Sequence, residues 1–200
     1  MPLAPPPKNF NAISLPTKQV RIDALRRITS FKSGEPYFGR RNVYRFDDIK
    51  KAYGTCYCGL DLTAVAETLL HDQLPENGVF DVACSQFTDK HIVRFTPAAV
   101  GGMLTLADLT GYSLKRLGGD NSISSEYPYD TPQLWSMAVH AHPNRVDGIV
   151  FVSRQLNTKK AVVVFDRAGA KLGTPTYTRL TSASGLARTK NKLGIRVAYP

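Results

Sequence analysis

The chain has 200 residues and a mass of 22.0 kDa, with 42% hydrophobic residues, enough to bury one sizeable core and too short to promise two large ones. No apolar run approaches the roughly 18 to 20 residues that span a bilayer, and the N-terminus lacks the apolar centre and cleavage site of a secretory signal, so a soluble, cytoplasmic protein without membrane contact is expected. The formal net charge of +10, from 26 Lys and Arg against 16 Asp and Glu, favours polyanionic ligands or an acidic partner. The basic residues are scattered in short clusters, and none forms the basic tract with interleaved aromatics that single-strand binders use, so direct nucleic-acid binding is not expected.

The first 16 residues contain five prolines and no hydrophobic periodicity, which reads as an extended N-terminal arm over residues 1–20, with order beginning near Ile22. Residues 25–31 predict a first strand. The Gly-, Pro- and Arg-rich segment of residues 33–48 is long for a structureless connection and therefore suspect for function. Residues 53–58 alternate as a short strand, and Asp61 is a suitable N-cap for a helix over residues 62–71, with Leu62, Ala66 and Leu69 or Leu70 on its buried face.

Further along, KHIVRFT (90–96) and LTLADL (104–109) alternate with period two and predict strands with one covered face. A short helix over 113–117 ends at Gly118 and Gly119, and TPQLWSMAVHAH (131–142) predicts a helix with Pro132 in its first turn. Residues 148–153 and 161–166 form apolar strands, 174–180 another, and 194–198 a last one. The sum is an α+β fold: one compact domain over residues 21–200 with short, mixed, mostly antiparallel strands and a few helices.

The two commonest nucleotide-binding fingerprints, GxGxxG and GxxxxGK[ST], are missing, as is the GxSxG elbow of a serine hydrolase. The three cysteines, Cys56, Cys58 and Cys84, cannot all pair and read as free thiols, and the four histidines show no HExxH or CxxC partner, so no metal is expected. What remains is a dispersed set. Glu67 is the odd member, an acid within LTAVAETLL: it either faces an apolar setting, where it needs a partner, or lies on the outer helix face. Singly, Tyr57 reads as a half-buried strand aromatic, Arg27 and Arg45 as solvated charges, and Ser153 as a strand-end hydroxyl satisfying backbone.

Taken together and in order, these residues resemble the RES-domain family, named for arginine, glutamate and serine, whose members are toxins of bacterial toxin–antitoxin modules. Arg27 in LRRIT matches the arginine of the opening strand, with Arg26 as a neighbouring rival. Arg45, Phe46 and Asp47 in YRFDD match an arginine followed by an aromatic and a small polar residue, with Arg40 and Arg41 in competition. YGTCYCGLDLTAVAETL supplies the strand tyrosine, Tyr57, and the helix glutamate, Glu67. DGIVFVSR supplies the apolar strand and its serine–arginine pair, Ser153 and Arg154, after a helix that carries Trp135.

The resemblance implies an ADP-ribosyltransferase-like fold and NAD+ as substrate rather than cofactor, cleaved between nicotinamide and ribose. It implies Glu67, Arg27 and Ser153 as the catalytic group and Arg45, Tyr57 and Arg154 as the substrate-binding group. Water as acceptor makes an NAD glycohydrolase, phosphate an NAD phosphorylase, and a protein side chain a mono-ADP-ribosyltransferase. It also implies an Xre-like helix-turn-helix antitoxin as partner. The alternative from another class is a basic nucleic-acid-binding module without chemistry, whose affinity falls steeply with salt.

Overall fold

The apolar runs GIVFV and KAVVVF become adjacent strands because they are apolar on both faces and so need cover on both. The computed structural model describes residues 2–71, 73–99 and 102–199; Met1, Asp72, Val100, Gly101 and Pro200, which fall within the expected arm and domain, lie outside the described residues. In chain order the elements are β1 (Thr17–Arg21), β2 (Leu25–Thr29), β3 (Thr55–Leu60), α1 (Thr63–Leu69), β4 (Phe80–Ala83), α2 (Ser85–Thr88), β5 (His91–Thr96) and β6 (Met103–Leu109). They continue with α3 (Gly111–Arg116), α4 (Asp130–Ala141), β7 (Gly148–Val152), β8 (Lys160–Phe165), α5 (Gly169–Leu172), β9 (Thr174–Arg179), α6 (Leu186–Leu193) and β10 (Ile195–Ala198).

Eight strands form one sheet in the order β1-β6-β7-β8-β3-β2-β5-β9, antiparallel throughout except for the β6/β7 pair. This is the expected α+β, mostly antiparallel domain. Period-two alternation sorts β8 between two cores. Ala161, Val163 and Phe165 pack with Phe46, Trp135 and Val139 on one face, while Val162 and Val164 pack with Leu25, Phe95 and Leu106 on the other. Each fully buried apolar side chain of this size contributes about 1.5 to 3 kcal/mol, so the central strands supply much of the stability. A third cluster seats α1 against Ile28, Ile92 and the small parallel β4/β10 sheet. The last strand was expected; β4 and α2 were not.

The hand-off within β2 positions the site. Leu25 and Arg26 pair with β3, whereas Arg27, Ile28 and Thr29 pair with β5. Beyond Arg26 the two strands therefore part, and the Tyr57 carbonyl on β3 loses the strand neighbour it would otherwise have. At Gly59 a Cβ would lie 2.5 Å from the Ala64 backbone nitrogen. Only glycine lets the start of α1 approach β3 that closely. Asp61 serves the start of α1 as expected, but one position earlier than an N-cap. It has φ of +53°, and its Oδ1 accepts from the Thr63 backbone N–H at 2.8 Å, so the helix starts at Thr63 rather than Leu62.

Order begins before Ile22. β1 pairs along β6 from Thr17, and upstream of it Leu3, Phe10 and Leu15 are buried. The Trp135 indole N–H donates to the Ala4 carbonyl at 2.8 Å, and Phe10 meets the Trp135 ring edge-on with centroids 5.7 Å apart. Among its prolines this segment forms one short 3-10 turn, Phe10–Ala12, and docks isolated apolar side chains.

Candidate active site

Arg27 is the first residue of β2 past the hand-off, and its guanidinium repairs the break. Its Nη1 donates to the orphaned Tyr57 carbonyl at 3.0 Å and its Nε to Glu35 Oε1 at 2.8 Å. Glu35 is buried, and its second oxygen accepts from the Tyr37 backbone N–H at 2.8 Å. Burial works against the charge of Arg27, but the Cys56 sulfur and Glu35 carboxylate outweigh it and raise its pKa above the ordinary value. Arg26, the rival, turns to the Asp23 and Leu25 carbonyls.

The loop before β3 is held by an acid that residue patterns did not single out for a role. Buried Asp47 accepts from the Val43 and Tyr44 backbone N–H groups at 3.0 Å each, from Thr55 Oγ1 at 2.6 Å and from the Tyr57 hydroxyl at 3.3 Å. The Tyr57 hydroxyl also accepts from the Phe46 N–H at 2.8 Å, so both of its hydrogen-bonding roles are used inside the protein. Burial first, and Asp47 next, push its pKa well above the usual phenol value, which keeps the proton on. The ring, not the hydroxyl, is what Tyr57 offers the cleft.

Arg45 is 7% exposed and is aimed by this loop. Its Nη1 donates to the carbonyls of Glu126, at 2.7 Å, and Ile123, at 3.3 Å, and its guanidinium lies 4.6 Å from the Tyr129 ring centroid. Its Nε and Nη2 make no hydrogen bond among the described residues. Burial and then Arg154 lower its pKa, opposed by Tyr129, Tyr57 and Glu67.

Glu67 sits on α1, whose neighbours Val65, Ala66 and Leu69 are buried, and it is itself half-buried at the cleft wall. Of the two open readings, the partnered carboxylate is the observed one: Ser153 Oγ donates to Glu67 Oε1. Ser153, 1% exposed, follows the last residue of β7, and its Oγ accepts from the Leu156 backbone N–H at 2.9 Å. A hydroxyl has one proton, so that acceptor bond directs the proton to Glu67.

These groups converge on one cleft of about 720 Å³, lined by Arg27, Arg45, Tyr57, Glu67 and Arg154, a size suited to a small-molecule ligand. Ser153 lies behind Glu67 rather than on the cleft surface. Arg26 and Arg41 also line the cleft, while Arg40 turns away to Asp166 at 2.6 Å. Five arginines face the acids Glu35, Asp47 and Glu67, and two of those acids are already committed to positioning. The cleft therefore attracts anions and holds one further carboxylate, Glu67, fixed by Ser153. Asp47 was legible only as part of YRFDD, and Glu35, Tyr129 and Gln155, which also line the cleft, gave no periodic or motif signal. Among the described residues no cluster of three or more His, Cys, Asp or Glu is arranged to hold a metal ion.

A RES domain family model matches residues 20–182 of the chain. No curated protein matches it. Among solved structures, a chain of the crystal structure of the M. tuberculosis MbcT–MbcA toxin–antitoxin complex is similar in fold. It has a TM-score of 0.54 and 14% sequence identity, covering 88% of this chain and 91% of that one. The matched stretch contains β2, the Asp47 loop, Tyr57, Glu67 and the Ser153–Arg154 pair, so the cleft and the family signature coincide, and the chain belongs to the RES-domain family.

Proposed function

We propose that this protein is a toxin enzyme that cleaves the bond between nicotinamide and ribose in NAD+, depleting the nucleotide and arresting growth. The observation that carries the reading is Glu67, a carboxylate pinned by Ser153 at the wall of an arginine-rich cleft. Nicotinamide leaves as a neutral ring, so positive charge grows on the ribose as the bond stretches. A carboxylate fixed beside that carbon stabilises the oxocarbenium-like state without having to reorient as the charge develops. Arg45 and Arg154 suit the pyrophosphate, since a guanidinium fork matches phosphate oxygens. Arg27 holds the split between β2 and β3 open through Glu35 and the Tyr57 carbonyl, and the Tyr57 ring supplies an apolar wall for the nicotinamide.

The acceptor is water or phosphate, giving an NAD glycohydrolase or phosphorylase; transfer to a protein is the third outcome of the same chemistry. An Xre-like antitoxin that covers the cleft accords with the toxin–antitoxin complex named for the structural neighbour. Action in the cytoplasm accords with the absence, among the described residues, of a helix long and apolar enough to cross a membrane. The test is to incubate the purified, folded protein with NAD+, with and without inorganic phosphate, and to resolve the products. ADP-ribose marks the hydrolase and ADP-ribose 1-phosphate the phosphorylase; NAD+ left intact under both conditions refutes the reading.

A further inference from the structure

A second concavity, of about 590 Å³, is lined by residues just after β8, around the end of α4 and on either side of residues 41–51, and shares no lining residue with the main cleft. It brings Arg40, Arg145 and Arg167 together with His140 and Tyr53, against the single carboxylate of Asp166. That carboxylate is already engaged: its Oδ2 accepts from Arg40 at 2.6 Å and from the Gly54 backbone N–H at 2.8 Å. Arg167 donates through Nη2 to the His140 carbonyl, and its buried Nε has no hydrogen-bond partner. The Arg145 side chain makes neither an ion pair nor a hydrogen bond among the described residues, and its backbone is held at φ of +46° by an N–H bond to the His142 carbonyl at 3.0 Å. Two cations thus stand close together with donors unspent, and burial first, then Arg145, lower the pKa of Arg167, a cost that an anion between them offsets.

We propose that this concavity is a binding site for a small phosphate-bearing anion, held between Arg145 and Arg167 with Arg40 at its edge. Guanidinium forks match the tetrahedral oxygens of a phosphate, and exposed Arg145 keeps its whole fork unspent among the described residues. The imidazole of His140 stacks on Tyr53, with ring centroids 3.8 Å apart and planes 7° from parallel, and forms a flat side to the site. Burial first, and Arg167 next, lower the His140 pKa to about 4, so the ring is neutral near neutral pH and the guanidinium groups supply the positive charge of the site. The other charged groups acting on that ring are Asp166, Asp48 and Arg145.

The test is an NMR titration of the His140 ring signals at pH 7.5 and constant ionic strength, with chloride as the background anion and either inorganic phosphate or adenosine 5′-monophosphate as the probe. The expected result is a saturable shift that Arg145→Ala, an exposed change, weakens about tenfold or more. Arg41→Ala, an exposed change in the main cleft, leaves the shift intact. Tighter saturation by the nucleotide assigns the phosphate to a nucleotide; equal saturation assigns it to the free ion. A shift that does not saturate, or one that survives Arg145→Ala, overturns the proposal.

Discussion

Ser153 has one hydroxyl proton and gives it to Glu67, while the Leu156 N–H occupies a lone pair on the same oxygen. Removing that hydroxyl frees the carboxylate to rotate and leaves a backbone donor unpaired, which costs about 1 to 3 kcal/mol of stability. Under the proposed chemistry, Ser153→Ala lowers kcat for NAD+ cleavage roughly 10- to 100-fold, the scale of a misplaced catalytic group, with KM changed little; steady-state kinetics separates the two. Arg45 belongs to the opposite class. Its contacts to the Glu126 and Ile123 carbonyls fix its direction and leave the other side of the fork for the proposed substrate. Arg45→Ala is therefore expected to raise KM for NAD+ about tenfold or more, with the smaller effect on kcat. Equal losses in kcat and kcat/KM would instead place Arg45 at the reacting atoms.

The N-terminal segment is structural rather than an appendage. It covers the fully buried Trp135 and packs beside the turn that supplies the acceptors of Arg45, since the Leu3 N–H donates to Glu126 Oε2 at 2.7 Å. Deleting residues 2–15 removes the burial of Leu3, Phe10 and Leu15, worth on the order of 5 kcal/mol in total, against a whole-domain stability of about 5 to 15 kcal/mol. Urea unfolding followed by circular dichroism should show a midpoint far below that of the intact chain, or no cooperative transition; an unchanged midpoint contradicts the role. This segment was also the least legible in the sequence. Its apolar residues dock singly among prolines, whereas β5, β6, β7 and β8 carried alternating or continuous apolar runs and α4 its own periodicity. Asp47 shows the same limit within the site. Its partners Thr55 and Tyr57 lie beyond a turn, and nothing local in YRFDD says that one carboxylate will bind the loop to the strand. Glu67 was visible as an acid among apolar residues, but its partner, Ser153, comes from a strand end 86 residues away.

Across the whole molecule two concavities each gather more arginines than acids, and His140, which lines the second, makes the protein acid-sensitive in a defined window. His140 is held near a pKa of 4 in the fold against an ordinary 6.5, by burial and by Arg167. Its folded form binds a proton less readily than its unfolded form. At pH above 6.5 both forms are neutral and the group contributes nothing; as pH falls from 6.5 to 4 the unfolded chain is protonated first and stability declines. A pH series of urea midpoints should therefore drop across that window, and His140→Asn should flatten part of the drop; an identical slope in the variant would remove His140 from the cause.

Catalysis by the cleft is tested most directly by nicotinamide release from NAD+, comparing the purified protein, free of any inhibitor, with Glu67→Ala in the same assay. Under the proposed chemistry the carboxylate stands beside the developing ribose cation, so the unaltered protein is predicted to release nicotinamide and Glu67→Ala to do so at least about 100-fold more slowly while unfolding at the same urea concentration. A Glu67→Ala protein as active as the parent, or a folded parent that leaves NAD+ untouched, contradicts it.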